Sequence, residues 1–346
     1  MKVFIWGNKL FSLDMLWGFQ QAGCEARVIQ ADTAEQMRSI LEDSKPDLLL
    51  SMGAPTELKR GALEYVGQRQ ASSMKYIHWD TDGISSMYYN SVSGDGIEMD
   101  VIYLSRPDLI LTMCPEMREY LRGKNSACEM MHYAYSPISH RPLPGYGNDK
   151  YYINLIGNSY LEFFRRFPNH YRYTSIKILL KPLLENGYQV HFYGDTGYRP
   201  LIKILLNVDV PEVYFHRYLP YERTCAAYNS SFINLVTQNH EQTITKRTFE
   251  ILGSGGFALS SDNSEIRKLF VPGRDLAVSS SAEQTLELVR YYKENPDAWR
   301  KVRENAPVSV QSHTYRQRAE FILELIKKHW PWPAGELPLR TGVSPF

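Results

Sequence analysis

Cysteine is scarce in this chain. Cys24, Cys114, Cys128 and Cys225 are scattered over 346 residues and none belongs to a C-x-x-C pair. That excludes a disulfide framework and a cysteine-built zinc site as organising features. Reduced thiols, and so a cytoplasmic protein, are the expectation. Net charge is almost absent, at a formal +1, so no strong field draws the chain to nucleic acid or anionic lipid. Long apolar runs are missing as well. Val3-Phe4-Ile5-Trp6-Gly7 breaks off at Asn8 and Lys9, too soon for a signal peptide, and no stretch reaches the length of a membrane span. No G-x-G-x-x-G follows the first strand, since Gly7 leads into Asn8-Lys9-Leu10; this argues against a dinucleotide oxidoreductase.

What is present is an ordinary soluble composition, 43% hydrophobic and 22% charged. The length favours two domains, each large enough to bury its own core. Aromatic residues reach 13%, with 24 tyrosines. Such rings stack on sugars and bases, and they also serve as plain core and rim residues.

The first half alternates two signals. Short apolar runs at Val3–Trp6, Ala26–Ile29, Asp47–Ser51, Met74–Trp79 and Leu109–Thr112 read as buried strands. Helical spacing falls between them, at Phe11–Gln21 and Ala34–Leu41. Pro137, Pro142, Pro144, Gly145 and Gly147 then mark a linker. The alternation restarts with strands at Tyr152–Ile156, Gln189–Tyr193, Glu212–Phe215, Phe232–Val236 and Phe257–Ser260. Helices are expected at Thr174–Glu185, Thr245–Leu252, Ala282–Glu294, Pro296–Glu304 and Tyr315–His329. Continuous apolar strands separated by helices predict parallel sheets covered on both faces. The fold class is therefore α/β, with two Rossmann-like, doubly wound domains over 1–145 and 146–330 and a Pro-rich tail over 331–346. Ligands of such sheets sit beyond the carboxyl ends of the strands, where strand order reverses. Two such domains facing each other would place that crevice between them.

The segment richest in chemistry is Thr237–Ser260. A polar loop leaves a strand and enters a helix through Gln242, Thr243, Thr245, Lys246 and Arg247. Free N–H groups and the helix dipole favour a phosphate there, and Lys246 and Arg247 add charge suited to a diphosphate. Glu250 lies within the same helix, one turn before Gly253, where a missing side chain lets a ligand approach. A carboxylate so placed can accept the hydroxyls of a ribose. The plainer reading is a helix pair with Lys246 at i−4, worth about 0.2–0.5 kcal/mol on an exposed face.

Arg247-Thr248-Phe249-Glu250, followed by Gly253 and Gly255-Gly256 before a strand, resembles the donor-site helix of GT-B glycosyltransferases, and most closely the spore-maturation CgeB-like family. Glu265–Asp275 resembles the family's glu-leu-phe-x-pro-gly loop, and His313–Ala319 its closing helix. The match spans roughly Tyr152 to Lys328. The resemblance implies a GT-B fold and a sugar transferred from a nucleotide diphosphate sugar, UDP-linked, to a glycan, lipid or protein acceptor of the spore coat or cell surface. It implies no cofactor beyond the donor substrate, and work at the forming spore or the inner membrane face. Gly157-Asn158 would lie under the donor phosphates, with Arg172 as a diphosphate partner. Tyr193-Gly194 and Tyr218-Leu219 would hold the base. Where related retaining enzymes carry the first of two glutamates this chain has Gln242, with Glu241 beside it.

In the first half, Tyr76-Ile77-His78-Trp79-Asp80-Thr81-Asp82-Gly83 ends a strand in a histidine and two acids. In related enzymes a histidine after a first-domain strand lies near the transferred sugar. His78 is the catalytic candidate on that basis, with Asp80 or Asp82 contacting the acceptor or acting as base. The alternative is plain turn chemistry. Asp80-Thr81-Asp82 also spells D-x-D, the metal motif of the other large glycosyltransferase fold; it lies away from the donor signature, so no bound metal is expected. His132, ahead of Tyr133, reads as a structural histidine. Rival readings are a GT-B sugar-nucleotide epimerase or phosphorylase, and a non-catalytic nucleotide-sugar-binding module.

Overall fold

The structure is a computed structural model and describes residues 1–53, 58–68, 74–81, 97–145 and 152–330, with only the backbone of 97–100. Asp82 and the 331–346 tail lie outside the described residues. Contacts divide the chain into two compact units: Met1–His132 together with the chain from Thr314, and Tyr133–His313.

Unit 1 alternates strand and helix: β1 (Lys2–Gly7), α1 (Lys9–Gln21), β2 (Glu25–Ile29), α2 (Ala34–Ser44), β3 (Leu48–Met52), α3 (Arg60–Gly67), β4 (Lys75–Asp80), α4 (Ile97–Ser105), β5 (Leu109–Thr112), α5 (Pro115–Gly123) and β6 (Cys128–Met130). The strands form one sheet in the order β2-β1-β3-β4-β5-β6, every pair parallel. All five residues of β3 are buried, as a strand covered on both faces requires. On one face Phe4, Trp6, Leu49 and Tyr76 pack with Met37 of α2, with Leu63 and Val66 of α3, and with Val101 of α4.

The C-terminal helix (Tyr315–His329) packs in unit 1, although the sequence boundary at 145/146 assigns it to the second half. The reason is steric and aromatic. Gly18 sits mid-helix in α1, and a Cβ there would lie 2.3 Å from the Tyr315 carbonyl oxygen, so the missing side chain lets the two backbones touch. Trp79 stands edge-on to both Phe11 and Tyr315, with ring centroids 6.4 Å apart in each pair. Thr314 and Gln317 close a capping box at the helix start.

Unit 2 contains β7 (Ile153–Ile156), α6 (Leu161–Arg166), α7 (Tyr171–Leu179), α8 (Lys181–Glu185), β8 (Val190–Tyr193), α9 (Tyr198–Leu206), β9 (Phe215–His216), α10 (Tyr221–Ser230), β10 (Ile233–Val236), α11 (Lys246–Gly253), β11 (Ala258–Ser261), α12 (Ser264–Leu269), β12 (Ala277–Ser279), α13 (Ala282–Glu294) and α14 (Pro296–Ser309). Its sheet is again fully parallel, in the order β12-β11-β10-β7-β8-β9. The order reverses between β7 and β10, beyond Ile156 and Val236, the place where sheets of this kind form a ligand crevice. Leu155, Phe192, Leu235 and Phe257 of the strands and Tyr173, Ile176, Leu201 and Trp299 of the helices share the core.

Two expected elements differ. The helix expected over Thr174–Glu185 is split after Leu179, because Pro182 has no N–H to bond back and instead opens α8. The strand expected over Glu212–Phe215 begins as a single 3-10 turn at Glu212–Tyr214, leaving only Phe215–His216 to pair with β8.

Candidate functional site

Four loops follow the strand ends from the switch point of unit 2 outward to the sheet edge at β9. The first follows β7, where Gly157 has φ +139° and a Cβ would lie 2.2 Å from Nη2 of Arg247. Glycine is needed here twice, for the backbone angle and for the guanidinium that fills the notch. The second follows β8. A Cβ on Gly194 would lie 2.0 Å from the Gly157 carbonyl oxygen, so the two loops run in direct backbone contact. The third follows β9, where the Tyr193 and His216 rings stack with centroids 4.5 Å apart. The fourth leaves β10 and becomes α11.

A buried amide pins that last loop. Gln238 has no exposed surface. Its Oε1 accepts the Thr245 N–H at 2.9 Å, and its Nε2 donates to Thr248 Oγ1 at 3.1 Å and Ser260 Oγ at 2.9 Å. One side chain thus ties the start of α11 to β11. Thr245 occupies the N-cap with extended backbone, yet its hydroxyl makes no capping bond. The first turn of α11 therefore presents N–H groups and the positive end of the dipole with no side-chain cap, which suits an anion.

Arg247, at the second helical position, is half-buried against Gly157. Burial works against its charge, but Tyr228, Tyr198 and Glu250 more than offset that and hold it above the usual guanidinium range. Arg172 is 4% exposed and braces two loops across the switch point. It donates 2.7 Å to Asn239 Oδ1 and 2.8 Å to the Asn158 carbonyl, beneath the Tyr160 ring at 4.6 Å. Asn158 is exposed, and with Ser159, Tyr160 and Asp195 it lines a cavity of roughly 420 Å³.

Glu250 and Lys246 form the pair that helix spacing allows, but out of water. The Nζ–Oε1 distance is 3.1 Å and the side chains are 9% and 8% exposed. Burial alone would raise the Glu250 pKa; the charge of Lys246, then His140 and Arg247, outweighs it and lowers the value below the usual carboxylate range. Lys246 is thus directed at Glu250, where the sequence reading gave it a diphosphate. A second expectation also shifts. The gap at Gly253 serves a side chain, not a ligand, since a Cβ there would lie 2.3 Å from the Tyr135 ring.

The remaining predicted positions are dispersed. Thr243 is buried and its carbonyl accepts 2.7 Å from Asn263 Nδ2. Gln242 is half-buried and its N–H meets His240 Nδ1 at 3.0 Å. Tyr218 is 63% exposed and Leu219 half-buried, both just beyond β9. Gln238, Asn239, Tyr221, Tyr228 and His140 were not singled out from sequence. Gln238 and Asn239 carried a signal, because they immediately follow a buried strand inside the polar segment.

In unit 1 His78 does not point out of the sheet end as expected. It lies on the interior face of β4 with no exposed surface, its Nδ1 2.8 Å from Ser51 Oγ, which in turn meets the Tyr76 hydroxyl at 2.8 Å. Burial pushes its pKa down to about 3, so it is neutral at physiological pH. Asp80 is 2% exposed and accepts the Thr112 hydroxyl at 3.0 Å. The His132 carbonyl accepts from Arg318 Nε at 2.8 Å. Among the described residues no group of three or more His, Cys, Asp or Glu side chains could hold a metal ion, and no helix is long and apolar enough to cross a membrane.

Comparison with known proteins agrees with this architecture. Residues 166–324 match the model of a family described as glycosyl transferase-like. No protein of curated function matches the sequence. Among solved structures, sucrose-phosphate synthase from Thermosynechococcus elongatus superposes with a TM-score of 0.67 at 10% identity, covering 95% of this chain and 98% of that one. The Anabaena protein HepE in complex with UDP and glucose gives 0.64 at 11% identity, covering 95% and 100%. A putative UDP-N-acetylglucosamine 2-epimerase from Listeria monocytogenes gives 0.56 at 13% identity, covering 95% and 96%. The fold is that of the GT-B glycosyltransferase structures, two parallel-sheet Rossmann-like α/β units.

Proposed function

We propose that the protein is a glycosyltransferase that binds a UDP-linked sugar in unit 2 and passes the sugar to a hydroxyl-bearing acceptor held by unit 1. The observation that carries this reading is Arg247, seated on Gly157 at the strand-order reversal beside the open N-terminus of α11. The donor diphosphate would take the α11 N–H groups and Arg247, with Arg172 bracing the loops beneath it. Glu250 would accept the ribose hydroxyls. The base would lie over the ends of β8 and β9, near Tyr193, Gly194, Tyr218 and Leu219. In the transfer, the bond between the anomeric carbon and the phosphate oxygen breaks and its electrons leave with UDP. A bond to the acceptor oxygen forms, and that oxygen's proton passes to a base. Fixed dipoles and a guanidinium aimed at the departing diphosphate stabilise charge where it develops. HepE, solved with UDP and with UDP-glucose, supports the choice of donor. The sequence resemblance supports a spore-coat or cell-surface acceptor, and a reaction without a resident metal. His78, buried and neutral, has no part in the proposed chemistry.

Calorimetric titration with UDP, GDP, TDP and NAD, with magnesium and with EDTA, tests the reading. UDP is expected to bind in the micromolar range in both conditions. Arg247→Ala and Glu250→Gln should each weaken it by about tenfold or more, ~1.4 kcal/mol, in protein that still melts cooperatively. Binding of NAD alone, or of no nucleotide, overturns the proposal. The fold shared with the Listeria epimerase keeps a second reading open; a UDP-sugar supplied without acceptor and followed for isomerisation separates the two.

A further inference from the structure

One cluster in unit 2 is left over once the switch-point loops are assigned. Tyr221 opens α10 and reaches across to α11. Its hydroxyl donates to Glu250 Oε1 at 3.0 Å and accepts from Lys246 Nζ at 3.0 Å, while Lys246 Nζ stands 3.1 Å from the same Oε1 and 4.6 Å from the Tyr221 ring centre. Three polar atoms thus close a triangle, with the ammonium also over the aromatic face. His140 backs the tyrosine edge-on, with centroids 5.1 Å apart, and is itself held by Thr224 Oγ1 at 2.9 Å.

A lone lysine–glutamate pair one turn apart leaves the carboxylate free to rotate about its last torsion, where preferences are broad. A second donor from another helix removes that freedom. Both contacts fall on Oε1, so the plane of the carboxylate is set and Oε2 is the oxygen they do not use. A buried carboxylate held this way suits vicinal hydroxyls, because charge-assisted hydrogen bonds are strong and geometrically exacting out of water. We infer that Tyr221 is a positioning residue that locks Glu250 through Oε1 so that Oε2 meets the ribose hydroxyls of the donor, making the site selective for ribonucleotides over deoxyribonucleotides. This rests on the donor-site reading above, and it adds a residue and a selectivity that the helix motif alone does not contain.

The test compares UDP with 2′-deoxy-UDP by calorimetry on the full chain. Wild type should prefer UDP by about tenfold, and Tyr221→Phe should reduce that preference to about threefold or less while its affinity for 2′-deoxy-UDP stays within about twofold of wild type. Lys246→Met, which removes the other side of the triangle, should narrow the preference in the same way. A structural role alone would weaken both nucleotides in proportion and leave their ratio intact; that result, or an unchanged ratio in both variants, overturns the inference. Wild type binding both nucleotides equally would overturn it while leaving the donor site standing. Wild type binding neither would overturn the donor site as well.

Discussion

A methyl group at position 157 would have nowhere to go. The backbone there is at φ +139°, a region that L side chains avoid, and the added Cβ would meet the Arg247 guanidinium at 2.2 Å. Gly157→Ala should therefore cost about 1–3 kcal/mol of stability and displace Arg247. UDP binding should fall by more than Arg247→Ala alone produces, because the loop moves together with the charge. Thermal melting and calorimetry on the two variants check both parts, and wild-type affinity in Gly157→Ala would remove Arg247 from the site. At this scale the sequence was partly legible. Arg247 and Glu250 stood out by residue type and place on the helix, Gly157 only through the family resemblance. Tyr221 and His140 did not, because nothing local tells that a tyrosine at the start of one helix faces a glutamate on another.

At the scale of elements, α11 is the part on which the site depends, and Gln238 is its anchor. Gln238→Leu keeps similar bulk but strands the Thr245 N–H and takes one donor each from the hydroxyls of Thr248 and Ser260, which keep their bonds to Thr245 and to the Val236 and Ser261 carbonyls. An unsatisfied buried group costs about 1–3 kcal/mol, so a loss of that size in urea unfolding is expected, with weakened nucleotide binding in the protein that stays folded. A change below about 0.5 kcal/mol would show that the helix start is held by its packing instead. The longer strands and α11 itself were readable, since buried parallel strands are unbroken apolar runs and α11 carries a clear polar-to-apolar start; the three-residue edge strands β6 and β12 were not. Short helices such as α6 and α12, six residues each, were not. They are too brief to show a period and form because their flanks are already fixed.

At the scale of the whole molecule, the division into units sets where acid acts. His78 has a folded pKa of about 3 against an unfolded value of about 6.5. Below pH 6.5 the unfolded chain takes up a proton that the folded unit 1 refuses, so stability is complete above that pH and declines as pH falls towards 3. By pH 5 the loss from this one residue is about 2 kcal/mol. His78→Gln, which keeps a partner for Ser51, should remove about that much of the difference in urea stability between pH 7 and pH 5; an unchanged difference would mean that unit 1 admits the proton. The sequence by itself determined two parallel α/β units and a polar entry into α11, because strand burial and helix starts are local properties of the chain. Only the tertiary structure decided that the C-terminal helix returns to unit 1, that His78 faces the core, and that Lys246 is directed at Glu250. Each of these depends on which distant residue comes to occupy the space beside it, and residues far apart in the chain, such as Gly18 and Tyr315, settle that only when the backbone closes.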